Sequence, residues 1–329
     1  MRKASRRKHW LGLDVGGTKV LTCVFDQDFE LIGAQKKKNR ADGKAGLSPS
    51  RLLDVTREAL DELGIDPATL AGVGVGAAGW LDLDRGVLLQ APNLGWHNVK
   101  LAQMLRRAFG VPAVLANDVD AGTYAEYRFG AARKARCVVG VFPGTGIGGG
   151  CVYEGRLLRG KVSSCMEIGH YLIAPDGPLC GCGRRGCLEA VASRLAISAA
   201  AAAAAFRGEA PHLLRLAGTD VAKIRSGDLG AAIRAGDRVV EQIVRHAAQQ
   251  IGQALVSVVH LLAPDTILLG GGLVEELPEL FASEVGQTVR GLALATYTQD
   301  LRFVTAKLSG HATAMGAAAL AAAHVTGRS

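Results

Sequence analysis

No apolar run in this chain reaches the roughly eighteen residues of a membrane span without a Gly, Pro or charge interrupting it, the alanine-rich segments apart. Those segments are rich in a strong helix former rather than strongly lipophilic, so no membrane partner is expected. Met1–Lys8 has no apolar core and runs straight into a strand, which argues against a secretory leader. No Gly-x-x-x-x-Gly-Lys-Ser/Thr run occurs, and that excludes a Walker-type phosphate loop. A broadly basic body is missing too. Arg2, Lys3, Arg6, Arg7 and Lys8 supply five of the net charge of +8, so a solvated basic tail over residues 1–9 accounts for most of it and no nucleic-acid partner is expected.

Nor do the cysteines suit a disulfide framework. There are seven, an odd number, and two of them form a Cys-x-Cys pair whose bridge would be strained. A reducing, cytoplasmic setting follows. What the thiols do suit is a metal. Cys180-Gly-Cys182-Gly-Arg-Arg-Gly-Cys187, with His170 ten residues upstream of the first cysteine, is a complete Cys₃His set for tetrahedral zinc. With all four positions filled by protein there is no place for an activated water, so the zinc reads as structural. Glycines 181, 183 and 186 are expected to supply the φ > 0 turns of such a knuckle. Glu167 flanks His170 and Glu189 follows Cys187 by two residues, so the metal would bring the two glutamates near one another. An imidazole held through one nitrogen can donate its other N–H.

At 329 residues and 49% hydrophobic, the chain is long enough for two domains with sizeable cores. Strands are expected at Trp10–Asp14 and Val20–Phe25, joined through Val15-Gly-Gly-Thr-Lys19, and again at Cys137–Phe142 and Cys151–Tyr153, joined through Pro143–Gly150. Two strand–glycine–strand units suggest a duplicated architecture. Helices are expected from Ser48 to Gly64, from an Asn98 cap to Gly110, over Asp118–Phe129, through the alanines 199–205, over Arg238–Leu262, near 277–290 and from about His311. Strands are expected at Val73–Ala77, Val111–Ala116, Thr266–Leu269 and near 302–307. Residues 80–90 are a Leu/Asp/Gly mixture with no clear period. The alternation argues α/β.

Gly74-x-Gly-x-x-Gly79 and Gly144-x-Gly-x-x-Gly149 match the dinucleotide fingerprint in form, but neither leads into the helix that the fingerprint requires. What remains is a matched pair of glycine turns, with Thr18, Lys19 and Thr145 beside them, whose backbone N–H groups suit phosphate oxygens. Asp118 opens a helix after a buried strand. On the residues alone it reads as an N-cap, a role that Asn117 or Asp120 could equally fill. Beside two phosphate loops, however, a carboxylate at the C-terminal end of a strand sits where α/β sheets place ligands.

Asp14-x-Gly-Gly-Thr-Lys19, Asn117-Asp118, Gly144-Thr-Gly-Ile-Gly-Gly-Gly150, Glu167-Ile-Gly-His170, the cysteine knuckle with Leu188-Glu189, and Gly270-Gly-Gly272 occur in the order seen in bacterial ROK proteins. The chain resembles the kinase branch of that family from residue 10 to about 320, most of all its glucokinases. The resemblance implies an actin-like hexokinase fold of two α/β domains around a ligand cleft, with 10–120 and 309–329 in the first and 121–308, carrying the knuckle, in the second. It implies an ATP- and Mg²⁺-dependent hexose kinase, glucose the expected substrate, with Asp118 as base on the sugar O6. Gly79, Asn93, Asn117, Asp118, Glu167, His170 and Glu189 would contact the sugar. Asp14 would sit near magnesium, and Gly16, Gly17, Thr18, Lys19, Gly144, Thr145, Gly146, Gly270, Gly271 and Gly272 near the nucleotide. Homodimers or homotetramers are the family's habit. Rival substrates are N-acetylglucosamine, N-acetylmannosamine and fructose, and polyphosphate is a rival donor. Sugar-responsive repressors of the family add an N-terminal helix-turn-helix domain, for which the nine residues before the first strand leave no room. Ala77-Ala-Gly-Trp80 stands where many members have a Pro-Gly-Pro-like turn, and Ser163-Ser-Cys-Met166 where glycine-rich residues are usual, which bears on substrate identity.

Overall fold

The computed structural model describes residues 8–17, 19–38, 47–161 and 163–327. Thr18 and all but the last two residues of the basic tail lie outside them. The chain divides into two compact units, Met1–Gly130 with Arg156–Cys165 and Gly310–Ser329, and Ala131–Gly155 with Met166–Ser309. A boundary at 120 would cut the helix Asp118–Arg128, whose buried face keeps it whole within the first unit.

The sheet of the first unit runs in the order Leu31–Lys38, Lys19–Phe25, His9–Val15, Leu70–Ala77, Ala113–Asn117. Its first two joints are antiparallel and its last two parallel. The helices Pro49–Glu62 and Leu101–Phe109 cover one face, burying Leu52, Val55, Leu60, Leu101 and Leu105 against Leu11, Leu13, Val73 and Val75. Ser48 accepts a hydrogen bond from the Arg51 N–H to start the first of these, and Gly64 and Gly110 follow the two helices at φ 67° and 65°. The last helix, Ala312–Thr326, lies on the other face at backbone contact. A Cβ on Gly12 would fall 2.0 Å from the Ala314 carbonyl oxygen, and one on Gly74 1.8 Å from that of Ala317. Glycine in the strands and alanine in the helix are thus required by the approach, since any larger pair would force the layers apart.

The second unit repeats the plan. Ile147–Tyr153, Cys137–Pro143, Thr266–Leu269 and Arg302–Thr305 follow one another with one antiparallel and two parallel joints. This duplicated β-sheet order is the α/β, actin-like arrangement expected from the sequence. The helix Arg238–Leu262 buries Val240, Val244, Ala247, Ile251, Leu255 and Val259 at helical spacing. Among the described residues, one stretch, Leu188–Phe206, is long and apolar enough to cross a membrane by composition. It is two helices broken at Ser193, whose backbone is extended and whose hydroxyl caps the second by accepting from the Ala196 N–H, and 56% of it is buried.

Three expectations need correction. Asn98 caps nothing; it lies in the strand Trp96–Val99 at φ 53°, and the following helix starts at Leu101 without a side-chain cap. Gly148, Gly149 and Gly150 are strand residues, because the turn is confined to Gly144–Gly146. The stretch without a clear period belongs to a small sheet of Trp80–Asp82, Val87–Ala91 and Trp96–Val99.

Candidate functional site

In the first unit, the three parallel strands end level. Val15 lies beside Ala77 and Ala77 beside Asn117, so whatever follows each strand is gathered along one sheet edge. After Val15 comes the glycine turn, closed by the Gly16 N–H donating to the Lys19 carbonyl at 3.1 Å. Gly17 packs on Asn93, whose carbonyl oxygen would be 3.1 Å from an added Cβ. Beyond Ala77, Gly79 has φ 132° and would place a Cβ 2.3 Å from the Gln90 carbonyl oxygen, so no other residue fits. Beyond Asn117 comes the helix Asp118–Arg128. Its cap is Asn117, whose Oδ1 accepts from the N–H groups of Val119 (2.9 Å) and Asp120 (3.4 Å). Asp118 Oδ1 receives a further bond from the Val119 N–H at 3.0 Å. Capping therefore does not account for Asp118: the sequence alternative is resolved in favour of Asn117.

Asp14, the last but one residue of its strand, is pushed up to about 6 by burial and then by the negative charge of Asp118, against the pull of Lys19 and Lys36. Lys19 is lowered, first by the Lys36 side chain beside it and then by burial.

In the second unit, Gly144-Thr145-Gly146 is a tight turn in which the Gly144 N–H donates to the Gly146 carbonyl at 2.8 Å. Arg194, which no motif singles out, braces it. Its backbone N–H donates to the Gly144 carbonyl (2.8 Å) and Nη2 to Thr145 Oγ1 (3.1 Å), while Nη1 is anchored on the Ile224 carbonyl (2.9 Å). Nothing in the sequence ties Arg194 to residue 145; only the fold does. Gly270 and Gly271 lie alongside: the Gly270 N–H donates to the Val141 carbonyl at 3.1 Å, and Gly271, at φ 84°, would put a Cβ 2.9 Å from the Pro143 carbonyl oxygen. Gly272 opens the short helix Gly272–Glu276.

Glu189 joins this turn to the cysteine knuckle. Its Oε2 accepts from the Ile147 N–H at 3.0 Å and occupies the space a Cβ on Gly146 would need (2.2 Å), while Oε1 is 3.6 Å from Cys180 Sγ. His170 ends the short 3-10 helix Ile168–His170, which begins just after exposed Glu167, and its N–H donates to the Glu167 carbonyl at 3.0 Å. The Leu188 N–H donates to the Tyr171 carbonyl at 2.9 Å, which holds the segment before Glu189 against the one after His170.

His170, Cys180, Cys182 and Cys187 bring one ligand atom each to within 4.8 Å of one another. His170 Nδ1 is 3.8 Å from Cys180 Sγ, and Cys182 Sγ is 3.6 Å from Cys187 Sγ. Metal–sulfur bonds of about 2.3 Å in a tetrahedron separate the sulfurs by about 3.8 Å, so the set fits a small tetrahedral cation. Gly183 (φ 86°) and Gly186 (φ 76°) make the turns, and a Cβ on Gly186 would lie 1.7 Å from the Ala174 carbonyl oxygen. Gly181 does not take a positive φ, contrary to expectation. Burial pushes the Cys180 thiol up to about 12, so a cation is what would hold it as thiolate.

The sign of the Asp14 shift gives a pH test. Folding takes up a proton between pH 3.8 and about 6, so the stability linked to Asp14 is fully present below 3.8 and lost as pH rises through 6. Above that, the buried carboxylate costs up to about 3 kcal/mol. Asp14→Asn should melt higher than wild type at neutral pH, with the difference closing below pH 3.8; a melting difference independent of pH would contradict this assignment.

The ROK family profile matches residues 10–324. A glucokinase of Streptomyces coelicolor is 31% identical over 314 residues, which cover 94% of this chain and 96% of that protein. An N-acetylmannosamine kinase of Citrobacter koseri is also 31% identical, over 91% of this chain and 97% of its own length. The crystal structure of a ROK family glucokinase from Streptomyces griseus in complex with glucose and AMPPNP superposes with a TM-score of 0.80 and 32% identity, covering 95% of this chain and 99% of that one. With the profile running through both units and these relatives matched nearly end to end, the chain belongs to the ROK family.

Proposed function

We propose that this chain transfers the terminal phosphate of ATP to a hexose, glucose foremost, giving glucose 6-phosphate and ADP. The observation that carries the reading is the sheet edge of the first unit, where a glycine turn, Gly79 and Asp118 follow three strands that end level, with Asn117 rather than Asp118 capping the helix. Full-length glucokinase relatives support ATP as donor and a hexose as acceptor.

Phosphoryl transfer asks little covalent chemistry of a protein: positioning, neutralisation of charge and one proton acceptor. Asp118 takes the proton of the sugar 6-hydroxyl as that oxygen bonds to the γ-phosphorus and the bond from phosphorus to the ADP oxygen breaks. Its place among the first N–H groups of a helix favours the ionised form a base needs. In the first unit, Asn117, Asn93 and Gly79 are the residues for sugar hydroxyls; in the second, Glu167, His170 and Glu189 are. In the first unit the Gly17 N–H and Lys19 are the donors for phosphate oxygens, the Gly16 N–H closing the turn; in the second they are the Gly146 N–H and the Thr145 hydroxyl, the Gly144 N–H closing the turn, with Gly270–Gly272 for the nucleotide. Mg²⁺, when bound, would supply charge neutralisation, and Asp14 is the carboxylate that would hold it. Zinc in the knuckle has a structural part. Cys180, Cys182, Cys187 and His170 would hold it, and with its ring fixed as a ligand His170 would present its other N–H.

N-acetylmannosamine is the second reading for the acceptor, because a kinase for that sugar shares the same 31% identity over slightly less of the chain. A coupled assay of ADP release across hexoses and amino sugars decides between them. Glucose should give the highest kcat/KM, with polyphosphate a poor donor; preference for N-acetylmannosamine would reassign the substrate, and no release with any sugar would remove the kinase reading.

Elemental analysis of the purified protein should find about one zinc per chain, as a complete Cys₃His set requires. Cys182→Ser should lose the metal, melt lower and bind sugar more weakly. Absence of zinc with Cys180 and Cys182 oxidised would contradict this.

A further inference from the structure

The strand Leu31–Lys38 ends in three consecutive lysines beside the first glycine turn. Its pairing fixes the face each occupies. Asp14 lies opposite Leu21 and Leu21 opposite Lys36, so Asp14, Leu21 and Lys36 form one cross-strand row on one face of the sheet. Lys19, two residues before Leu21, shares that face, with Lys38 directly opposite it. Lys37 falls on the other face and forms an ion pair with Glu62.

The lysines beside Asp14 are placed differently. Lys36 is a like charge beside Lys19 on one face of the sheet, and both act on the Asp14 carboxylate. Asp118 is the other carboxylate bearing on Asp14. Ammonium groups this close repel, and an anion between them would turn that repulsion into attraction. In the adjoining glycine turn, which the Gly16 N–H closes on the Lys19 carbonyl, the Gly17 N–H is a further donor for an anion.

We propose that Lys36, with Lys19, grips the phosphate chain of the nucleotide at the Gly16-Gly17 turn; this rests on the kinase reading above. Lysine binds phosphate as a mobile point charge without a fixed fork, so it can follow an oxygen whose charge changes during transfer. Lys36 is exposed, so replacing it opens no cavity.

The test is steady-state kinetics of the full-length protein with ATP and its best hexose, for Lys36→Met, Lys36→Arg and Lys37→Met. Lys36→Met should raise KM for ATP about ten-fold and leave the hexose KM within about two-fold, as expected for loss of one charge-assisted phosphate contact. Lys36→Arg, which keeps the charge, should recover most of the loss. Lys37→Met, altered on the opposite face, should keep the wild-type ATP KM. Thermal melting of Lys36→Met should be unchanged or raised, since a repulsion is removed. An unchanged ATP KM in Lys36→Met, or an equal rise in Lys37→Met, overturns the proposal. Should Lys36→Met melt far below wild type, Lys36→Gln against Lys36→Arg makes the same comparison. If the wild type phosphorylates no hexose, the kinase reading fails on its own, and calorimetric titration of AMPPNP into wild type and Lys36→Met then decides: equal affinities overturn the role of Lys36, and about ten-fold weaker binding to the variant upholds it.

Discussion

Parallel pairing of three strands that end in one row, Val15, Ala77 and Asn117, is the constraint on which the first unit's chemistry depends. A slip of one residue in either joint would turn every side chain of a strand to the other face and carry Asp14 or Asp118 away from the turn. The register is held by packing on both faces. Leucines and valines of two helices lock one side, and the other is fixed by backbone contact between Gly12, Gly74 and the final helix. The final helix also meets the site, because the Thr313 hydroxyl donates to the Asp118 carbonyl at 3.3 Å. Residues from the far end of the chain thus steady the start of the helix that carries Asp118.

The second unit solves a similar problem with different parts. Its glycine turn is braced from Arg194 and Glu189, which lie just after the knuckle in the chain. The Glu189 carboxylate is thus part of the packing of the turn. It also explains why Gly146 has no alternative: the space beside it belongs to a carboxylate oxygen.

Much of this was legible in the sequence, where the signal is local. Helix Arg238–Leu262 and strand Thr266–Leu269 are bounded by a long apolar period and by Pro264, and the knuckle by its cysteine spacing. Legibility stops where a contact joins distant residues. Arg194 is tied to Thr145 and Lys36 to Lys19 only through strand pairing and packing, so neither stands in a motif. The small sheet of 80–99 escaped because its strands are three to five residues long, too short for alternation to show. Asn98 misled because a residue suited to capping is equally suited to a positive φ, and here the second use won. For the helix that Asp118 opens, the sequence left the cap open among Asn117, Asp118 and Asp120, and the hydrogen bonds of Asn117 were needed to settle it.

The central claim is that Asp118 accepts the proton of the sugar hydroxyl, and Asp118→Asn tests it most directly, because the amide keeps shape and hydrogen-bonding capacity but cannot take the proton. We expect kcat to fall by about 10²–10⁴ while glucose affinity, measured by calorimetry, changes little. Turnover close to wild type in a folded Asp118→Asn protein would contradict the claim and leave Asp118 a structural neighbour of the Asn117 cap.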